Sequence, residues 1–192
     1  MTLILSKKYN PLFESKARYF IITGGRGSGK SFAVTVFLTL LTMSRGIRVL
    51  FTRFTMTSAH LSIIPEFLEK IGLLGFDETF SINKSEVVNA KNKSDILFRG
   101  IKTSAGNQTA SLKSLQGIST WVLDEAEELV DENIFDTIDL SIREKNIQNR
   151  VILILNPVTK EHWIYKRFFE DKGVEGGFNG VKDNVCYIHS TY

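Results

Sequence analysis

The chain has 192 residues, of which 43% are hydrophobic and 23% are charged, the composition of an ordinary globular domain with one core. The formal net charge of +3 is too small to indicate an anionic partner, and the single cysteine, Cys186, cannot form an internal disulfide, so we expect a reducing compartment. The longest apolar stretch, residues 32–43, is shorter than the roughly 20 residues that a membrane span requires, and the first residues lack the basic leader of a secretory signal.

The first part of the chain predicts a strand, a loop, a helix and a second strand. Residues 18–23 are β-branched and aromatic, which is typical of a buried strand. Residues 30–44 are apolar on nearly every face and predict a core helix that closes with Gly46 as its C-cap, and residues 47–52 predict another buried strand. A strand, helix and strand in this order favour a parallel sheet.

The middle of the chain is less regular. Residues 58–74 carry apolar side chains at helical spacing and predict a helix or a helix pair, with a kink or break at Pro65. Residues 79–100 consist of short alternating pieces and predict two or three small antiparallel strands. The polar residues 101–116 predict a surface loop.

The last part returns to longer apolar segments. It predicts strands at 119–123 and 151–155, a capped amphipathic helix at 131–144, another helix at 161–169, and one more strand, VCYIHSTY, within the tail 181–192. Because no internal repeat or low-complexity linker occurs, we expect one domain over residues 1–192.

The most informative segment is GGRGSGKS, which satisfies the phosphate-loop pattern G-x-x-x-x-G-K-[ST] directly after the first strand. Its glycines let consecutive backbone N–H groups converge on an anion, and the following helix adds the positive end of its dipole. Lys30 is expected to reach the β and γ phosphates, and the Ser31 hydroxyl to ligate Mg²⁺. The alternative is a chance match. The predicted triphosphate-binding residues are Gly24, Gly25, Arg26, Gly27, Ser28, Gly29, Lys30 and Ser31.

Two adjacent acids, Asp124 and Glu125, follow the apolar segment WVL. On an extended strand their side chains point to opposite sides, which permits two roles. Asp124 is expected to hold Mg²⁺, and Glu125 to polarise the water that attacks the γ phosphate. The alternative is a solvated acidic helix start, since further acids follow.

Two other polar residues are candidates for the same site. Asn156 follows the strand segment VILIL, and ligands bind where the carboxyl ends of parallel strands meet, so we expect its amide to sense the γ phosphate or the attacking water. Its alternative is a turn residue before Pro157. Arg26 could add positive charge to the transition state, or be a solvent-facing filler of the loop.

Two further patterns are interpreted as structural. The segment Asn92-Lys93-Ser94-Asp95 matches the guanine-reading pattern N-K-x-D, but it precedes Asp124 instead of following it, so we interpret it as a turn. The three histidines, His60, His162 and His189, lack the spacing of metal ligands.

Taken in order, GGRGSGKS, LFTRFTMTSAHLSIIPEFLEKIGL, SLKSLQGISTWVLDEAEEL, SIREKNIQNRVILILNP and YIHSTY resemble the ATPase part of a tailed-phage terminase large subunit. The resemblance covers nearly the whole chain, and the coupling of SLKSLQG to WVLDEAEEL and LNP is its most particular part. It implies an α/β fold of the P-loop NTPase class, a three-layer α/β/α sandwich with a mostly parallel central sheet. The class implied is the one with an additional strand and a catalytic glutamate, here with a small antiparallel excursion.

The resemblance also implies a role for each matching residue. Residues 24–31 bind ATP, and Arg26 and Lys30 take part in catalysis. Asp124 and Ser31 hold Mg²⁺, Glu125 activates water, and Asn156 is the coupling position after its strand.

The resemblance implies two further contacts, each with more than one candidate residue. Adenine contacts are expected upstream of the loop, within Tyr9 to Tyr19. A basic residue is expected to reach into a neighbouring subunit, and its candidates are Lys113, Arg143 and Arg53.

The partners are implied in the same way. Terminase large subunits form a homo-oligomeric ring that pumps double-stranded DNA through the portal protein, with the terminase small subunit as another partner. We expect an ATPase of the host cell cytoplasm that is absent from the mature virion, monomeric in isolation and without membrane contact. Residues 102–116 are the expected DNA grip. The family's RNase H-like nuclease domain has no counterpart in these residues, so DNA cleavage is not expected of them.

Two other functions share such a loop. A small-molecule kinase needs an arginine-rich lid over its phosphate acceptor, whereas the arginines after Asp124 are only Arg143, Arg150 and Arg167, widely spaced. A DNA-binding or scaffold protein could use the nucleotide as a switch. DNA-stimulated phosphate release without a phosphorylated acceptor excludes the first, and ATP turnover excludes the second.

Overall fold

Short apolar segments form the strands of one mixed sheet. The computed structural model describes residues 3–56, 59–103, 106–107, 112 and 114–191. The strands in these residues are β1 (Tyr19–Gly24), β2 (Arg48–Thr55), β3 (Phe80–Ile82), β4 (Glu86–Asn89), β5 (Asp95–Thr103), β6 (Gly106–Asn107), β7 (Thr120–Asp124), β8 (Arg150–Leu155), β9 (Gly180–Lys182) and β10 (Val185–Ser190). Strands β7 and β8 are buried almost throughout, as expected of a sheet that is covered on both faces.

The central strands run parallel in the order β5-β2-β7-β8-β1-β10. Antiparallel strands extend the sheet on both sides, with β4 and β3 beyond β5, and β9 beyond β10; β6 also pairs with β5. Strand β8 lies between β1, which precedes the glycine loop, and β7, which ends in Asp124. The sheet is mostly parallel, and β8 is the additional strand between β1 and β7. Both features confirm the predicted fold.

Helices cover both faces of this sheet. They are α1 (Pro11–Glu14), α2 (Lys30–Leu41), α3 (Ala59–Leu73), α4 (Glu132–Asp139) and α5 (Trp163–Tyr165), the last continued by a π-helix (Lys166–Glu170). Phe20 and Ile22 of β1 belong to the apolar cluster that contains α2 and α3, whereas Ile21 belongs to the cluster beneath α4 and α5. The fold is therefore a three-layer α/β/α sandwich. None of the described helices has the length and apolar character to cross a membrane.

The carboxyl end of α2 differs from the prediction. It stops at Leu41 instead of residue 44, and Thr42 is its C-cap. The Thr42 backbone N–H donates to the carbonyls of Leu38 and Leu40, and its hydroxyl donates to those of Leu38 and Thr39, so the carbonyls of the last turn have hydrogen-bond partners. Gly46, with φ of 79°, lies in the following turn and is not the cap.

The other helices also differ from the prediction in part. Helix α3 is one continuous helix, so of the predicted kink or break at Pro65 the break is wrong; Pro65 lies inside the helix at an exposed position. Asp131 caps α4 as predicted, but the helix ends at Asp139 instead of residue 144. The helix predicted at 161–169 is one α-helical turn followed by the π-helix.

The antiparallel excursion is continuous with the main sheet. Strands β3, β4 and β5 pair antiparallel as predicted, and β5 also pairs parallel with β2. The turn before β5 contains the N-K-x-D residues, and its Asn92 amide donates to the carbonyls of Thr42 and Met43 at the end of α2. This confirms a structural turn. Of the predicted loop 101–116, the first part belongs to β5 and β6, and several other residues lie outside the described ones.

Phe135 is the centre of the aromatic packing beneath α4. Its ring centroid lies 5.1 Å from that of Trp121 and 4.8 Å from that of Trp163. Phe135→Ala is expected to lower the free energy of unfolding by about 3–5 kcal/mol, because a cavity replaces the ring. The control is Leu140→Ala, at a side chain that is 73% exposed, where we expect a change below about 0.5 kcal/mol. Urea denaturation measures both, and equal shifts would contradict this packing.

Candidate nucleotide-binding site

The glycine loop lies between the carboxyl end of β1 and the first turn of α2. Gly24, Gly27 and Gly29 have φ angles of 150°, 74° and 83°, which side-chain-bearing residues rarely adopt. A Cβ atom on Gly24 would lie 2.1 Å from the Ser190 carbonyl oxygen of β10. Position 24, where the chain leaves β1, therefore requires glycine.

Two hydroxyl groups from distant parts of the sequence support the loop. The Tyr9 and Ser190 hydroxyl oxygens lie 3.0 Å and 2.6 Å from the carbonyl oxygen of Ser28, and 2.9 Å from each other. No role was predicted for Ser190, because a serine near the end of a strand carries no local signal of a distant loop. Its position on β10, next to β1, is the property that brings it to the loop.

Lys30 is held by its own loop. Its Nζ donates to the carbonyl oxygens of Gly24 at 2.6 Å and Gly25 at 2.8 Å, and lies 3.4 Å from Oδ1 of Asn156. Burial lowers the pKa of Lys30, while the carboxylates of Glu127 and Asp124 oppose that shift. The ammonium group is thus placed at the mouth of the loop with backbone oxygens as its partners.

The two adjacent acids line the same cleft, so the prediction of opposite directions is wrong. Glu125 has φ of 54° and ψ of 47° and has left the extended conformation, so strand alternation no longer applies to it. Arg53 at the end of β2 contacts both acids: its Nε and Nη2 donate to Asp124 Oδ2 at 2.8 Å and 2.6 Å, and its Nε lies 3.7 Å from Glu125 Oε2. Partial burial raises the pKa of Glu125, and Arg53 opposes this.

Asn156 is held in place by an acid for which no individual role was predicted. Its Nδ2 donates to Glu127 Oε1 at 2.6 Å. Glu127 belongs to the short 3₁₀-helix that follows β7, and its position in DEAEE was attributed only to an acidic helix start. A carboxylate two residues after Glu125 is a signal that could have identified it.

These residues enclose a cleft of about 690 Å³ at one edge of the sheet. The predicted residues that line it are Arg26, Gly27, Ser28, Gly29, Lys30, Ser31, Asp124, Glu125 and Asn156. Gly24 and Gly25 form the base of the loop and accept the Lys30 hydrogen bonds. The other residues of the wall are Phe32, Arg53, Glu66, Glu127, Glu128, Ile154 and Leu155.

The structure distinguishes between the three candidates for the basic residue that reaches a neighbouring subunit. Arg53 contacts Asp124 within its own chain, which disfavours a role in a neighbouring site. Arg143 is exposed and lies with residues 114–118 around a separate cavity of about 550 Å³, near the amino ends of β7 and β8. Lys113 lies outside the described residues.

Another cavity, of about 340 Å³, adjoins the outer side of the glycine loop. Tyr9 is the member of the predicted adenine segment that lines it, and the other upstream residues there precede Tyr9. Its wall consists of Ile4, Leu5, Ser6, Lys8, Tyr9, Gly27, Ser28, Gly29, Phe32, Ala33 and Thr191.

The histidines whose side chains are described have structural partners. His162 caps α5 by accepting from the Ile164 N–H, and His189 lies 2.9 Å from the Thr23 hydroxyl. No group of three or more His, Cys, Asp or Glu side chains suited to a metal occurs within the described part of the chain. The His60 side chain lies outside that part.

Comparison with known proteins gives one family. Residues 16–192 match the family model described as phage terminase large subunit. No curated protein sequence matches the chain significantly.

Solved structures share the fold at low sequence identity. The large terminase of a thermophilic bacteriophage has a TM-score of 0.74 and 15% identity, over 98% of this chain and 46% of its own. The N-terminal domain of the DNA packaging ATPase from bacteriophage phi29 has a TM-score of 0.70 and 18% identity, over 96% of each chain. The large terminase ATPase domain of Thermus phage P74-26 has a TM-score of 0.63 and 20% identity, over 97% of this chain and 80% of its own. This chain thus spans less than half of the first of these proteins.

The close approach of Gly24 to β10 generates a prediction. Gly24→Ala is expected to lower the free energy of unfolding by on the order of 2 kcal/mol or more and to abolish ATP binding, because the Cβ displaces the loop or β10. Gly176→Ala is the control, since a Cβ there meets nothing within 4 Å, and we expect a change within about 0.5 kcal/mol. Urea denaturation and calorimetric titration with ATP measure the two effects. Normal ATP binding by Gly24→Ala contradicts the geometry.

Proposed function

The chain belongs to the phage terminase large subunit family, and on that premise we propose that it hydrolyses ATP to move double-stranded viral DNA into a procapsid. The observation that carries the proposal is the convergence of the glycine loop, Lys30, Asp124 and Glu125 on one cleft. The large terminase of the thermophilic bacteriophage, which shares the fold, has been solved with ADP and with ATP-γ-S. We propose ATP as the ligand of the corresponding cleft here.

In this proposal the loop binds the phosphates and the outer cavity receives the adenine. The backbone N–H groups of residues 24–31 face an anion, and Lys30 exchanges the carbonyls of Gly24 and Gly25 for phosphate oxygens. Tyr9 would contact the base from the cavity beside the loop. Arg26 lines the cleft and supplies a second positive charge for the phosphates.

The donor set beside the phosphates fits Mg²⁺. The Asp124 carboxylate and the Ser31 hydroxyl are hard oxygen donors on the same cleft, and Mg²⁺ is bound in proteins by one or two carboxylates together with phosphate oxygens. The Arg53 guanidinium on Asp124 Oδ2 marks a position where the cleft holds positive charge. When bound, the ion would neutralise charge on the β and γ phosphates.

Glu125 is the proposed catalytic base. Its carboxylate is more exposed than that of Asp124 and lines the cleft beyond Arg53, so it can accept a hydrogen bond from a water molecule in line with the γ phosphate. Asn156, directly after β8, contacts Glu127 and Lys30, and couples the state of the γ phosphate to the neighbouring loop.

The partners belong to the same proposal. The phi29 protein with this fold has been solved in a viral genome packaging motor assembly. We propose that this domain assembles with copies of itself into a ring on the portal protein, with the terminase small subunit, in the host cytoplasm and outside the mature virion. The domain is monomeric in isolation, and residues 102–116 grip DNA phosphates without reading base sequence.

Glu125→Gln tests the hydrolytic role. It is expected to retain ATP binding and to lower kcat at least about 100-fold, because the amide cannot take a proton from water. Glu175→Gln, at an exposed residue outside the cleft, is the control with an unchanged rate. Phosphate release with and without DNA measures both. Unchanged turnover by Glu125→Gln contradicts the assigned base, and a wild-type protein that binds ATP without turnover contradicts the function.

Arg143 tests the role of a neighbouring subunit. Arg143 is exposed and lies beside residues 114–118 near the amino ends of β7 and β8, opposite the cleft, so we propose that it acts on the site of a neighbouring subunit. Arg143→Ala is expected to lower the assembled, DNA-stimulated rate by about 10³-fold while ATP affinity stays unchanged. Mixing Arg143→Ala with Glu125→Gln subunits is expected to restore part of the rate, because each supplies what the other lacks. Arg45→Ala, at another exposed arginine, is the control, and no recovery on mixing contradicts action between subunits.

A further inference from the structure

The side chains of Glu127 and Asn156 form a pair next to Lys30. Asn156 Nδ2 donates to Glu127 Oε1 at 2.6 Å, and Asn156 Oδ1 lies 3.4 Å from Lys30 Nζ on its other side. Both side chains line the nucleotide cleft. Glu127 has no role in the function proposed above.

The backbone of Glu127 is fixed from two directions. It lies in the 3₁₀-helix after β7, and its carbonyl oxygen is 3.1 Å from His162 Nε2. Nδ1 of His162 accepts from the Ile164 N–H, so the ring proton is on Nε2 and is donated to Glu127. The carboxylate therefore approaches Asn156 from a rigid support.

This contact decides which way the amide faces. A carboxylate only accepts hydrogen bonds, and the Lys30 ammonium only donates them. The Asn156 NH₂ group must therefore face Glu127, and its oxygen must face Lys30 and the cleft. The second Glu127 oxygen, Oε2, is buried and has no hydrogen-bond partner among the described residues, so the Asn156 amide supplies the hydrogen bond that holds this carboxylate.

We propose that Glu127 is a positioning residue that keeps the Asn156 carbonyl oxygen directed into the cleft as a hydrogen-bond acceptor. This rests on the proposed ATP hydrolysis. When Lys30 turns to the phosphates, Asn156 Oδ1 loses its donor and becomes available to the attacking water, which it orients together with Glu125. A reversed amide would present NH₂ to that water and compete with the hydrogen bond to the base.

Glu127→Gln separates this role from a merely structural one. A glutamine at 127 pairs with either orientation of the Asn156 amide, so the amide loses its direction while a hydrogen bond and the side-chain volume remain. We expect kcat to fall about 10- to 100-fold with KM for ATP within about twofold. Glu175→Gln, exposed and outside the cleft, is the matched control with unchanged constants.

A double variant that exchanges the acid and the amide between positions 127 and 156 tests whether the lost rate can be rescued. In Glu127→Gln combined with Asn156→Asp, the glutamine NH₂ donates to one aspartate oxygen and the other oxygen faces the cleft, and the total charge of the pair is preserved. We expect this double variant to recover most of the kcat lost by Glu127→Gln. A double variant no faster than Glu127→Gln overturns the proposal, as does Glu127→Gln at the wild-type rate.

A second measurement is independent of turnover. In nucleotide-free protein, Glu127→Ala, Asn156→Ala and their combination are compared by urea denaturation. We expect the midpoint shift of the double variant to be smaller than the sum of the single shifts, because both changes remove the same contact. Additive shifts overturn the pairing. Wild-type protein without ATP turnover overturns the proposed function and this role together, whereas wild-type turnover with unimpaired Glu127→Gln overturns the positioning role alone.

Discussion

The parallel pairing of β1, β8 and β7 is the constraint on which the site depends. Thr23 pairs with Leu155, and Ile154 pairs with Asp124, so the glycine loop, Asn156 and Asp124 leave the sheet at nearly the same level. Because β8 separates the other two strands, the loop and the acid lie about 10 Å apart, two strand spacings. That gap is filled on one side by Asn156 and is wide enough for phosphate groups. The additional strand therefore sets the width of the site.

In this cleft, the charged side chains of Asp124, Arg53 and Lys30 have partners within the chain before any ligand binds. Asp124 is only 4% exposed at its side chain, and an unpaired buried carboxylate is strongly destabilising. Arg53 neutralises it from β2, and Lys30 satisfies its own donors on the loop carbonyls. Both of these cations thus have partners within the chain. In the function proposed above, Lys30 exchanges its carbonyl partners for phosphate oxygens, and Asp124 would gain a metal ion as a second cation.

The sequence predicted the residues that line the cleft better than the residues that support them. The spacing of GGRGSGKS and the strand ends before Asp124 and Asn156 identify the cleft residues, because loop geometry and parallel sheets make them local properties. The contacts of Arg53 with Asp124 and of Ser190 with the loop depend on which strands are neighbours, and this is a tertiary property that periodicity does not reveal.

Two local predictions failed for the same kind of reason. Glu125 adopts a left-handed conformation that the pattern of a strand cannot show, and it joins Asp124 on one side. Pro65 lies inside the continuous helix α3, at an exposed position. In both cases the surroundings, and not the residue type, decide the backbone.

The loop that begins at residue 24 is completed by the far end of the chain. Ser190 lies 162 positions from Ser28, yet its hydroxyl bonds the loop and its carbonyl excludes any side chain at Gly24. Strand β10 reaches that position only by pairing with β1, which already pairs with β8 on its other side. The glycine loop thus acquires its shape after long-range pairing of the sheet, which is the slow kind of contact in folding. A segment that reads as a local motif is, in its geometry, a product of the whole sheet.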